Sequence, residues 1–523
     1  MALDILIKNG VVLNGLGSPA FHADVAVKDG RIQKIGFLGE PASKTRIDAS
    51  GRFVAPGFID INNASDRHWS LFDHSKLESF LHQGVTTIIG GNCGSSLAPL
   101  VRGNTIASIQ KWAKVEKINV NWLGMGEFLE QARKQRLALN FATLVGHSTL
   151  RRGMIREEFR ELTEKETAQT QFLLEKAIEE GALGFSTALN YSHAKAATFD
   201  EIVKLSGIAT KHKKVYSSHL RDEGGGLISA VKEVIESARA AGASLQISHF
   251  KSVGRDNHQF FETALSMIEK AGDEGLNINF DLYPYAVTTS VIYTLLPDWV
   301  AVGGRAQLVA NLGSPDVRAR VIFEMKPNEE EIKNIVIASG AIDKTFIGRT
   351  LAQIAQNQGV GVSEALINTL AVAGGRIIGF WPALAEENII RGLKSSFSLI
   401  ASDGAAYNLD DARAGYLVHP RSFGTFPRIL ARYVRDKKIM SWEEAIKKMT
   451  ALPALKFGLS QRGVIKPGFI ADITIFNPET VQDLATYENP FQYANGIDAV
   501  IINGNVALLA GKISDKNFGS IIT

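Results

Sequence analysis

Short apolar runs rich in valine, isoleucine and threonine recur along the chain, and longer amphipathic stretches separate them. The runs 53–61, 86–91, 141–146, 183–187, 215–219, 245–249, 278–283 and 397–402 are continuous rather than alternating. Such patterning suits strands buried on both faces. Between most of them lie helical patterns with apolar positions three and four apart. Segment 163–180 is one, with Phe172, Leu173, Ala177 and Ile178 as its apolar positions, and 227–241 and 261–275 are others. Eight strands alternating with helices predict an α/β fold, a (β/α)₈ TIM-like barrel. A doubly wound open sheet is the alternative. No Gly-x-Gly-x-x-Gly follows the first strand, which weakens a dinucleotide-binding version of it.

The two ends of the chain are patterned differently. Segments 4–8, 11–13, 24–27 and 31–35 read as short strands separated by Asn9-Gly10 and Asp29-Gly30, both hairpin signals. Segments 471–476 and 499–502, the latter followed by Asn503-Gly504, repeat the pattern near the C-terminus. Residues 1–54 and 464–523 are therefore expected to form one small β-sandwich module around a barrel of residues 55–463. The stretch 290–395, between strands seven and eight, is too long for a plain loop and predicts an inserted subdomain. It carries helical patterns at 351–358 and 364–372.

Composition narrows the picture. The 523 residues are 45% hydrophobic and 21% charged, ordinary values for a globular chain. A net charge of +3, with no basic run interleaved with aromatics, argues against nucleic acid. One cysteine excludes an internal disulfide framework and fits a reducing compartment. There is no secretory pattern at the start and no apolar run long enough for a membrane span. A cytoplasmic protein is expected, with its oligomeric state left open.

Barrel enzymes place chemistry at the C-terminal ends of their strands. The residues there are Asp60, Cys93, His147, Thr187, His219, His249, Tyr283 and Asp403. One thiolate and two imidazoles (Cys93, His219, His249) suit zinc with an open position. A lone cysteine is more often a small buried hydrophobe, and each histidine alone is as readily a hydrogen-bonded core residue. The shared topological place of the three favours the metal. Asp403 in Ser402-Asp403-Gly404 suits a proton shuttle, with a turn or helix-cap aspartate as the bland alternative. Lys251, Tyr283 and Arg421 are candidates to hold a substrate carboxylate. His147 is a pocket candidate without a role, and His22, His82 and His212 read as surface or helix residues.

An ordered series of short motifs runs nearly end to end. It comprises Ala55-Pro56-Gly57-Phe58-Ile59-Asp60, Gln83-Gly84-Val85-Thr86-Thr87, Gly91-Asn92-Cys93-Gly94 and Gly184-Phe185-Ser186-Thr187. It continues with Ser218-His219-Leu220-Arg221-Asp222-Glu223-Gly224, Gln246-Ile247-Ser248-His249-Phe250-Lys251, Ser402-Asp403-Gly404 and His419-Pro420-Arg421. Together they resemble the N-acyl-D-amino-acid deacylases (D-aminoacylases) of the amidohydrolase superfamily. The resemblance implies a zinc hydrolase for N-acyl-D-amino acids, with Cys93, His219 and His249 on the tightly bound zinc. It implies Asp403 as acid/base and Lys251, Tyr283 and Arg421 as carboxylate binders. It also implies that the insert after strand seven is a lid over the pocket.

The chain departs from that pattern after the first strand. The His-x-His expected there is replaced by Asn62, Asn63 and Ala64, so one zinc is expected, not two. Asp66 and His68 stand nearby at a spacing that does not replace the pair. Segment 408–417 is longer than the pattern expects, which loosens the Arg421 assignment. The loss of His-x-His also leaves open a catalytically impaired binding protein on the same scaffold. A zinc amidase for another N-acyl or cyclic amide is the third reading.

Overall fold

A computed structural model describes residues 2–102 and 120–523. Eight short strands run parallel and adjacent in chain order. Phe58–Asp60 (β1) pairs with Val85–Gly90 (β2), which pairs with Asn140–Thr143; that strand resumes as Val145–Gly146, the two together being β3. Gly184–Ala188 (β4), Val215–His219 (β5), Ser244–Ile247 (β6), Ile278–Leu282 (β7) and Ser398–Ile400 (β8) follow in sequence. Past the ends of β1 and β8, Asn63 and Gly404 form a parallel bridge. The strand order thus returns to its start, an arrangement consistent with a barrel.

Amphipathic helices follow the strands. Glu164–Glu179 is capped by Thr163, whose hydroxyl accepts from the Glu166 amide while the Glu166 side chain reaches back. Leu227–Ala241 ends at Gly242, a left-handed cap at φ 62°. Phe260–Asp273 buries Phe261, Ala264, Leu265 and Ile268 on one face. In the first of these helices the expected face is rotated. Thr170, Leu174, Ala177 and Ile178 are buried, whereas Phe172 is 64% exposed.

The run 53–61, expected as one strand, is two. Phe53–Pro56 pairs with Leu3–Val12 and Ile473–Phe476, and after Gly57 the chain enters β1. A Cβ at Gly57 would stand 2.2 Å from the Thr86 side chain, so only glycine allows that passage. The chain ends meet in a nine-stranded sheet. Asp29-Gly30 and Asn503-Gly504 are two-residue hairpin turns with both residues at positive φ. Asn9-Gly10 is not a turn: it lies inside Leu3–Val12 as a register shift, with the Asn9 amide donating to Asp24 Oδ1 at 3.0 Å.

Between β7 and β8 the chain forms a three-stranded antiparallel sheet, Thr288–Val291, Ile377–Trp381 and Val336–Gly340, with Ile377–Trp381 in the middle. Helices including Leu351–Gln358 and Val362–Val372 pack around it over an apolar cluster of their own. The three strands escape a search for long apolar runs because they are short and half-exposed. Among the described residues, no helix is long and apolar enough to cross a membrane.

Candidate metal centre

Cys93 lies just beyond β2, His219 ends β5, and His249 lies two residues past β6. One donor atom from each falls within 4.8 Å of the other two, and all three residues are buried. Cys93 Sγ stands 3.3 Å from His249 Nε2, and the two imidazole rings meet edge to face at 4.2 Å. Among the described residues neither ring nitrogen of His219 makes a hydrogen bond. A buried imidazole without a hydrogen bond at either nitrogen is costly unless something else claims them. Burial alone raises the Cys93 thiol, but the charges of His249 and Arg67 outweigh it and hold the group well below its ordinary value. A thiolate and two imidazoles form a donor set that fits zinc.

Glu223, four residues after His219, supports both histidines. Its Oε1 lies 3.0 Å from His249 Nδ1 and its Oε2 3.5 Å from His219 Nε2. Lys251 also donates to Glu223 and sits 2.9 Å from His249 Nδ1. Burial raises the Glu223 carboxyl, yet Lys251, His219 and His249 together hold it well below the usual carboxylate range. A carboxylate behind a ligating imidazole fixes its ring orientation and tautomer. Glu223 lies in the Ser218-to-Gly224 motif, but its loop position carries no periodic signal that would mark this role in the sequence. Lys251 shares the side of His249 and lines the same cavity, with its amine donating to Glu223.

Asp403 follows β8. Its Oδ2 forms an ion pair with Arg421 Nη2 at 2.9 Å, and Arg421 Nη1 is buried without a hydrogen-bond partner. The Arg421 guanidinium lies over the Tyr283 ring at 4.7 Å, and Tyr283 donates its hydroxyl to Thr288 Oγ1 at 3.2 Å. Burial raises Asp403, but Arg421, His249, Arg67 and Lys251 lower it further, so it is ionised at neutral pH. A cavity of about 1010 Å³ joins these groups. Cys93, His219, His249, Lys251, Asp403 and Arg421 all line it, while Tyr283 sits behind Arg421. Segment 408–417 contributes Asp411, Tyr416 and Leu417 to its wall, and Leu417 donates to the Ala338 carbonyl of the inserted sheet.

The remaining strand-end candidates do not line this cavity. His147 is buried against Glu201, with Nε2 and Oε1 2.7 Å apart. Thr187 donates to Ser218 Oγ. Asp60 accepts from the Ser402 amide and hydroxyl and from Asn63 Nδ2, tying β1 to β8. Asn62 donates to Asp281 Oδ1, which also accepts the His249 amide. His68 lines the cavity, whereas Asp66 serves the Gly91 amide. Arg67, which the sequence did not single out, lines it too.

Residues 45–508 match the family described as Amidohydrolase family. D-aminoacylase of Alcaligenes xylosoxydans xylosoxydans is 33% identical over 501 residues, covering 96% of this chain and 93% of its own. Among solved structures, N-acyl-D-glutamate deacylase from Bordetella bronchiseptica is similar with a TM-score of 0.85, 30% identity and complete coverage of both chains. That protein is in complex with zinc and a phosphonate inhibitor that mimics the tetrahedral intermediate. A D-aminoacylase with a binuclear metal centre, described by one-metal activation and second-metal attenuation, is similar with a TM-score of 0.84, 30% identity and complete coverage of both chains.

Proposed function

We propose a function that starts from one fact: the chain belongs to the amidohydrolase family, and its relatives at 30–33% identity over nearly its whole length are deacylases of N-acyl-D-amino acids. The protein is a metal-dependent hydrolase of linear amides that cleaves the acyl group from N-acyl-D-amino acids. The observation that carries this reading is the buried His219 ring, without a hydrogen bond at either nitrogen, within 4.8 Å of the Cys93 and His249 donors. The scaffold is a (β/α)₈ barrel of residues 55–463. A β-sandwich module of residues 1–54 and 464–523 flanks it, and the 290–395 subdomain covers its mouth.

Cys93, His219 and His249 would hold a single zinc, which supplies Lewis acidity toward an amide carbonyl and acidifies water at its open position. Glu223 keeps His249 in the orientation that ligation needs. Asp403, ionised by its cationic neighbours, takes a proton at a carboxylate oxygen and delivers it to the leaving nitrogen. Arg421 holds Asp403 with Nη2 and has Nη1 left for the amino-acid carboxylate, with Tyr283 bracing the guanidinium from behind. Lys251 adds positive charge to that side of the cavity while bound to Glu223. Fixing the carboxylate relative to Asp403 is what selects one hand of the amino acid.

The test pairs a zinc count with a substrate panel. Purified protein is expected to hold one zinc per chain and to hydrolyse N-acetyl-D-amino acids at least a hundredfold faster than their L forms. A zinc-free protein, or one that turns over neither series, overturns the reading and favours a binding protein on this scaffold.

A further inference from the structure

Arg67 enters the cavity from the loop that follows β1. The loop doubles back at once: the His68 amide donates to the Ala64 carbonyl at 3.0 Å, and the Arg67 amide to Asp66 Oδ1 at 2.8 Å. Asp66 is itself pinned by the Gly91 amide at 2.7 Å. The stem of Arg67 is thus fixed between the ends of β1 and β2, where Ala64 and Cys93 line the same cavity. Among the described residues its guanidinium makes no hydrogen bond and no salt bridge, and Nε is sealed from solvent. The residue as a whole is half-buried, and a charge removed this far from water is stabilised by compensating charge beside it. Burial works against it here, and the charges of Cys93, Asp66 and Asp403 more than offset that cost.

The neighbouring positions 62–64 offer no imidazole to hold an ion, only one amide oxygen without a hydrogen-bond partner. Asn62 spends its amide nitrogen on Asp281 and leaves its oxygen unpartnered. Asn63 is turned to Asp60 and the Ser65 amide. Ala64, which faces the cavity, has no donor atom. An anionic thiolate and carboxylate would still attract a divalent cation to this side of the site. We propose that Arg67 is a built-in cation that takes the place of a second metal ion: it balances the Cys93–Asp403 side of the centre and repels a divalent ion from it. The proposal rests on the zinc-amidase reading above. It adds that this chain is indifferent to excess zinc, unlike the D-aminoacylase described by second-metal attenuation.

Zinc uptake, followed by equilibrium dialysis with elemental analysis, tests this without reference to turnover. Five chains are compared over rising zinc: wild type, Arg67→Met, the pair Asn62→His with Ala64→His, that pair combined with Arg67→Met (the triple variant), and that pair combined with Arg67→Lys. Wild type is expected to stay at one zinc. The histidine pair alone is expected to bind a second zinc at least thirtyfold more weakly than the triple variant. Arg67→Lys in the histidine-pair background is expected to keep the second zinc out as arginine does. Retention of the first zinc reports that each variant has folded around the site. Equal second-site affinity with and without Arg67 overturns the proposal. A wild type that binds no zinc at all overturns the underlying metal reading instead, so the two failures are separate.

Discussion

Cys93, His249 and Asp403 share a backbone feature: none is glycine, yet their φ angles are 49°, 38° and 47°. Non-glycine residues avoid this region at a cost of about 1–3 kcal/mol each. Three such residues at strand ends around one cavity place strain where side-chain chemistry is needed, and glycine in their place would remove the donors. Two substitutions separate the roles. Cys93→Ala should lose zinc and activity together, by elemental analysis and assay. Asp403→Ala should keep its zinc and lose roughly 10²–10⁴-fold in kcat, the usual worth of a positioned acid/base. Unchanged kcat in the second variant removes the proton shuttle. Asp60 offers a test independent of turnover. Burial raises its carboxyl from 3.8 to about 6, against the donors Ser402 and Asn63. A carboxyl whose folded pKa is raised keeps its proton longer in the native state than in the unfolded chain. Its contribution is therefore present below about pH 4 and is lost as pH rises to about 6, on the order of 3 kcal/mol in all. Urea melts of wild type and Asp60→Asn should show a stability difference that changes across that window; a difference independent of pH refutes it. Residue types were legible here because thiol, imidazole and carboxylate stood at strand ends. Glu223 and Arg67 were not, since each acts from an irregular loop whose pattern predicts nothing about direction.

At the scale of elements, sequence patterning found most strands and misjudged where they stop. The run 53–61 is buried from Val54 to Ile61, so hydrophobicity shows no boundary at Gly57, although the chain there passes from one sheet to another. Asn9-Gly10 carries the composition of a hairpin turn, but the pairing of Leu3–Val12 with Phe21–Lys28 continues across it. Helix 164–179 shows the same limit in its faces. Periodicity admits Phe172 to the apolar stripe, while the packed helix turns Leu174 inward and leaves Phe172 in solvent. The consequence is measurable by denaturant unfolding. Leu174→Ala should cost about 2–5 kcal/mol, the range for truncating a buried leucine. Phe172→Ala should stay within about 0.5 kcal/mol, as exposed sites do. Reversed magnitudes would mean that the helix is rotated about its axis.

Over the whole molecule, the alternation of strands and helices was written in the sequence, and so was the oversized connection after β7. What that connection builds was only partly legible: its helices showed, and its three-stranded sheet did not. The donor residues are also distributed at this scale. Cys93 comes from the end of β2, whereas His219 and His249 come from adjacent β5 and β6, so an ion bound to all three ties distant parts of the strand order together. A ligand that binds only the native state stabilises it by an amount set by its concentration over its Kd, about 2.7 kcal/mol at a hundredfold excess. Removing zinc with a chelator should therefore lower the Tm of wild type, and adding zinc back should restore it. Cys93→Ala should begin at the lower Tm and ignore both treatments, because its donor set is already broken. Asp403→Ala should respond as wild type does, since it leaves the three donors intact. A wild-type Tm untouched by chelation would mean that the three donors are held together by the fold alone.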